Sequence, residues 1–292
     1  MENIRNHIKE KRPSLSHSSI TTYTSVLKNL YKRVFGDEKF DMEKFNQTDK
    51  VLEHLKDVPS NKRKTILSAL VIITNKKDYR DLMLDDVKVY NDEMSKQQKS
   101  DQQKENWVDT DAITNVFENL QKNAMLVYKK KFRTSQDLQL IQNFILLACF
   151  VYIPPRRSKD FVDFKIKNID KDKDNYMEKN TFVFNSYKTS KFYGKQVVQI
   201  PVKLRNIIQR WIKINPTEYL FFDSNFNQLS SVKLNQRLNK IFGGMKVSVN
   251  MLRHAYLTDK YSDTLNQQKE MKETMNKMGS SLQQADVYIK ED

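Results

Sequence analysis

The chain has 292 residues, enough for two cores, and its 51 Lys and Arg against 36 Asp and Glu give a formal charge of +15 at pH 7. That excess predicts attraction to a polyanion, with nucleic acid the first partner to consider. With 30% charged and 38% hydrophobic residues, the composition fits neither a disordered tail nor a membrane protein.

The single cysteine, Cys149, excludes an intrachain disulfide and reads as a core residue within the apolar run 144–150. Four scattered histidines (His7, His17, His54, His254) offer no metal-ligand spacing, so no metal is expected. Five glycines leave no phosphate-cradling motif, so neither a nucleotide cofactor nor a small-molecule substrate is expected. The first residues, Met1 to His7, lack an apolar signal region, and no stretch approaches the ~20 apolar residues of a membrane span. An intracellular protein without membrane contact is expected.

From 18 to 35, Ile20, Tyr23, Val26, Leu27, Leu30, Tyr31 and Val34 recur at helical spacing behind Ser and Thr, and Gly36 stops the run. Shorter helical patterns at 51–55, 62–74 and 82–93 complete a predicted helical domain over 1–95, with its bundle from about residue 12. Residues 96–107 are polar almost throughout and read as a linker before a second domain, 108–292. In that domain helices are predicted at 110–126 and, capped by Ser135, at 137–152, where Pro154-Pro155 ends the run. The period then changes. Segments 181–187 and 196–200 are strand-like, with the Gly194-containing stretch 188–195 as their turn. Further helices are predicted at about 202–213, 231–242, 249–262, 264–277 and 281–290.

Leu252-Arg253-His254-Ala255-Tyr256-Leu257-Thr258 resembles the second signature box of the tyrosine recombinases, His-x-Leu-Arg-His-x-Phe-x-Thr. Upstream, Pro154-Pro155-Arg156-Arg157-Ser158-Lys159-Asp160-Phe161 resembles their first box. Taking Arg157 as its arginine puts Asp160 three places later and Phe161, Phe164 and Asn168-Ile169 in the family's rhythm; Arg156 is the reserve. Tyr187-Lys188-Thr189 falls in the predicted hairpin turn, where the family carries a lysine, with Lys191 and Lys195 as competitors. Met278-Gly279-Ser280-Ser281-Leu282, followed by Tyr288, resembles the element that ends in the nucleophile. Near the N-terminus, Leu15-Ser16-His17-Ser18-Ser19-Ile20-Thr21-Thr22-Tyr23, followed by Leu27, resembles the opening helix of the core-binding domain.

The resemblance implies a mainly α fold with a small β-sheet (α+β), its core-binding and catalytic domains forming a C-shaped clamp on double-stranded DNA. It implies a site-specific recombinase or integrase, of a virus or other mobile element, acting as a dimer or tetramer. Arg157 and Arg253 would hold the scissile phosphate, Tyr288 would attack it to form a 3′-phosphotyrosyl bond, and Lys188 would protonate the departing 5′ oxygen. No metal or nucleotide would be needed. Two positions depart from the pattern: Asn250 and Ser280 stand where the family has histidines. An amide hydrogen-bonds a phosphate oxygen without shuttling a proton. His254, beside Arg253, is expected to support the fold from within, with direct catalysis as its alternative role. Only four residues follow Tyr288, which argues against the family's exchange of C-terminal helices between subunits. Two other readings stay open: a type IB topoisomerase-like enzyme, and a non-catalytic DNA-binding protein derived from the same fold.

Overall fold

A computed structural model describes residues 2–290 and divides the chain into two units, 1–99 and 100–292. The first is helical: α1 (Glu2–Lys11), α2 (His17–Phe35), a 3-10 turn at Met42–Asn46, α3 (Thr48–Glu53), α4 (Ser60–Thr74) and α5 (Lys77–Ser95). Ser16 starts α2 by accepting a hydrogen bond from the Ser19 amide at 3.1 Å. Gly36 ends it at φ 70°, a left-handed conformation that costs glycine nothing. The stripe read from the sequence packs inward: Ile20, Leu27, Leu30, Tyr31 and Val34 meet Leu67, Leu70 and Phe45 in one core. Helix α1, which the sequence did not mark, adds Ile4 and Ile8. Tyr79 is fully buried with its hydroxyl donating to the Phe45 carbonyl at 2.6 Å, and burial raises its pKa. Arg63 clamps the buried Asp86 through two hydrogen bonds, 2.7 and 2.9 Å, tying α4 to α5.

The second unit is mainly helical around one small sheet, the class the sequence predicts. Its elements run α6 (Asp101–Glu105), α7 (Thr110–Tyr128), α8 (Ser135–Val151), α9 (Ser158–Val162), β1 (Phe164–Lys165), β2 (Asn175–Glu178), β3 (Thr181–Phe184), α10 (Ser190–Tyr193), β4 (Gln196–Gln199), α11 (Val202–Ile212) and α12 (Ser231–Ile241). Helix α13 (Val249–Lys277), a 3-10 turn (Leu282–Gln284) and α14 (Ala285–Tyr288) follow. Within the polar stretch read as a linker, Ser100 and Gln103 form a capping box that starts α6. Helix α8 begins at a similar device, with Thr134 rather than Ser135 as the cap and Asp137 as its reciprocal partner. It runs through the middle of the core with Ile145 to Cys149 fully buried, and burial pushes the Cys149 thiol up, which suits an inert core residue.

The sheet order is β1-β2-β3-β4, with β1 and β2 parallel and the other pairs antiparallel. The predicted hairpin is β3 and β4, but its connection folds into the single helical turn of α10. Helix α13 also departs from expectation, since the predicted break near residue 263 is absent and 29 residues run continuously. Neither proline nor glycine interrupts that stretch, and its polar residues tolerate a solvated helix. At about 1.5 Å per residue the helix is roughly 43 Å long. Among the described residues no helix is long and apolar enough to cross a membrane, and no cluster of His, Cys, Asp or Glu has metal-site geometry.

Candidate active site

Pro154-Pro155 turns the chain after α8, and residues 156 and 157 follow at the entry to α9. Arg157 is the extended residue preceding α9, and Asp160 lies in that helix's first turn. Arg253 comes from the start of α13, which Ser248 caps by accepting from the Met251 amide at 3.2 Å. Val249, Met251, Leu252 and Ala255 turn into the core, so Arg253 lies at the edge of the buried face. The β3–β4 connection supplies Tyr187, Thr189 and Tyr193. Together these elements line an open cleft of about 440 Å³.

The two adjacent arginines do different work. Arg156 donates through Nε to Asp160 Oδ2 at 2.8 Å and through Nη1 to Gln196 Oε1 at 3.0 Å. Its guanidinium also lies 3.9 Å from the centre of the Phe184 ring and 5.4 Å from that of Tyr187. It binds α9 to the sheet. The guanidinium groups of Arg157 and Arg253 make no hydrogen bond among the described residues, so their forks are left for a ligand.

Among the described residues Asp160 is the one carboxylate lining the cleft, 3% exposed, with Oδ1 lacking a hydrogen-bond partner. Burial raises its pKa, against the pull of Arg156, Arg157 and Arg253. Burial and the neighbouring Arg157 charge both lower the pKa of Arg253, with Asp160 opposing. Three guanidinium groups thus face one carboxylate, a surplus of positive charge that an anion would neutralise.

Asn175, fully buried at the start of β2, fixes this arrangement. Its amide donates to the carbonyls of Asp160 (3.0 Å) and Ser186 (2.7 Å), and its oxygen accepts from the amides of Asn185 (2.9 Å) and Ser186 (2.8 Å). One side chain therefore joins α9 to the end of β3. No sequence signal marked it, because its partners are all backbone groups of distant segments. Farther along, Tyr187 Oη donates to the Gly194 carbonyl at 2.7 Å and closes the β3–β4 connection, with Gly194 at φ 62°.

Of the residues singled out in the sequence, Arg156, Arg157 and Arg253 meet at the cleft. Lys188 is exposed between two cleft-lining residues, Tyr187 and Thr189, and Lys191 is exposed on α10. Asn250 and His254, four residues apart on one face of α13, are exposed and do not line the cleft. His254 therefore does not support the fold from within, because the buried face of α13 passes through Leu252 and Ala255 on either side of it. Ser280 hydrogen-bonds Gln284 beyond the end of α13. Tyr288, the last residue of α14, is 61% exposed and away from the cleft lining.

No family model matches the sequence, and no curated protein matches it. Among solved structures the chain is similar to a lambda integrase dimer bound to a COC′ core site, with a TM-score of 0.45 and 11% identity over 91% of this chain and 72% of that one. A second such structure, of lambda integrase(75-356), gives a TM-score of 0.44 and 12% identity over 91% of this chain and 89% of that one.

Proposed function

We propose that the chain is a DNA strand transferase of the tyrosine-recombinase type, an integrase or site-specific recombinase that acts as a homo-oligomer on double-stranded DNA. The observation that carries this reading is the pair of unbonded guanidinium groups, Arg157 and Arg253, facing one cleft on a chain of net charge +15. A phosphodiester between them would receive two planar forks on its nonbridging oxygens. The Tyr288 hydroxyl gives its proton to water as its oxygen attacks phosphorus, the P–O5′ bond breaks, and Lys188 gives the departing oxygen a proton. The product is a 3′-phosphotyrosyl linkage that preserves the phosphodiester energy, so rejoining needs neither metal nor nucleotide. Asn250 and Ser280 lie outside the cleft lining in the free protein, and would donate hydrogen bonds to the phosphate in place of histidines only once the bound DNA and the segment after α13 come together.

The reaction includes a movement that brings Tyr288 to a cleft, either by rearrangement of the segment after α13 or by delivery from a second copy. The position of Tyr288 also favours a second reading, a DNA-binding protein of the same design without strand cleavage.

Binding of a duplex by the full chain, followed by fluorescence anisotropy between about 50 and 200 mM salt, tests the common part of both readings. Six to ten phosphate contacts predict a loss of about a thousandfold or more across that range, and Arg157→Ala and Arg253→Ala should each lower the salt slope by about one. Salt-insensitive binding, or binding indifferent to both arginines, would contradict the proposal.

A further inference from the structure

The β3–β4 connection carries a feature that phosphate binding leaves unused. Phe192 is 85% exposed and its neighbour Tyr193 is 71% exposed, on the single turn of α10. Lys188, Lys191 and Lys195 surround them, all exposed, and no acidic residue occurs from 179 to 217. Tyr193 lines the arginine cleft, whereas Phe192, roughly 100° further round the turn, does not. Water is an unfavourable environment for two adjacent aromatic rings, and the lysines around them repel every cationic partner. A partner with negative charge and flat apolar faces suits both features, and a nucleobase on its phosphate backbone has that chemistry.

We infer that Phe192 is a stacking residue for a DNA base lying next to the phosphate held in the cleft. This rests on the DNA-binding reading above and adds the way the protein engages the bases beside the bound phosphate. Bases within an intact duplex already stack on one another, so the ring gains most where a step is opened or a base is missing. Phe192 therefore gives the protein a preference for locally opened DNA. The turn that carries it is held by the Tyr187–Gly194 hydrogen bond, which presents the ring without first having to order the loop.

The test compares a short intact duplex with the same duplex carrying a single-nucleotide gap, using the full chain and its Phe192→Ala and Phe192→Trp variants. Because the side chain is exposed, both variants should keep the wild-type circular dichroism spectrum. Phe192→Ala should weaken binding to the gapped duplex by about five- to tenfold and to the intact duplex by about twofold or less. Emission from Phe192→Trp should be quenched by the gapped duplex more than by the intact one. If wild-type protein binds both duplexes in the salt- and arginine-dependent manner set out above, but Phe192→Ala leaves their affinity ratio unchanged, the stacking inference alone is overturned. If wild-type protein binds neither duplex, the DNA-binding reading falls and the inference with it.

Discussion

Replacing Arg253 by alanine is expected to lower strand cleavage by about a thousandfold while leaving the thermal stability of the protein unchanged or slightly raised. The two effects have one cause. In the free protein the Arg253 charge is partly desolvated and lies near the Arg157 and Arg156 charges, and these lower its pKa. A cation whose pKa falls on folding destabilises the folded state at every pH below that lowered value, so removing it relieves repulsion across the neutral range. With a phosphate in the cleft the same charge becomes favourable, most of all as negative charge builds on the pentavalent phosphorus. Arg253→Lys should recover little activity, since an ammonium cannot supply a planar fork. Stopped-time cleavage assays and a thermal melt measure the two effects. A large fall in melting temperature would mean that Arg253 holds the fold rather than a ligand.

The reverse pattern is expected one residue from Arg157. Arg156→Ala should destabilise the second unit by about 3–5 kcal/mol, because it strips the buried Asp160 of its bonded partner and leaves Gln196 unpaired. In a unit of this size that corresponds to a fall of roughly 10 °C in its melting transition. Arg156→Lys should recover part of this at most, losing one of the two hydrogen bonds and the flat contact with Phe184. Arg157→Ala, with no hydrogen bond to lose, should change stability by about 0.5 kcal/mol or less and yet reduce DNA binding. Equal melting behaviour of the Arg156→Ala and Arg157→Ala variants would contradict this division of labour.

This division shows where the sequence is informative and where it is not. Helix α2 was legible because an unbroken apolar stripe lies between a hydroxyl cap and a glycine, both local signals. Most of the other helices and the β3–β4 hairpin followed from similar local patterns and from the change of period after Pro154-Pro155, and the mainly helical class with a small sheet agrees with what the resemblance implies. Strands β1 and β2 were missed. The first has two residues, and the second begins with a buried asparagine in a polar run, so neither shows an alternating pattern. The continuity of α13 was missed because a solvated helix lacks the apolar stripe that fixes its bounds. In the candidate site, the arginine-bearing segments were legible through their resemblance to the two signature boxes. Arg157 was preferred to Arg156 on the rhythm of the family's box, but the physical difference between them was not legible, since it lies in Asp160, Gln196 and Phe184, brought together only by folding. Asn175 and Phe192 were invisible for a related reason: one acts through backbone groups of distant segments, and the other is defined by its exposure.

The most direct test of the central claim is covalent capture. Wild-type protein and Tyr288→Phe are incubated with a pool of nicked duplexes in EDTA, quenched in denaturing detergent, and examined for protein linked to a DNA 3′ end. The strand-transfer account predicts a metal-independent adduct with the wild type and none with Tyr288→Phe, whose DNA affinity should be unchanged. Tight, arginine-dependent binding by both proteins with no adduct from either would contradict it and leave a DNA-binding protein without strand cleavage.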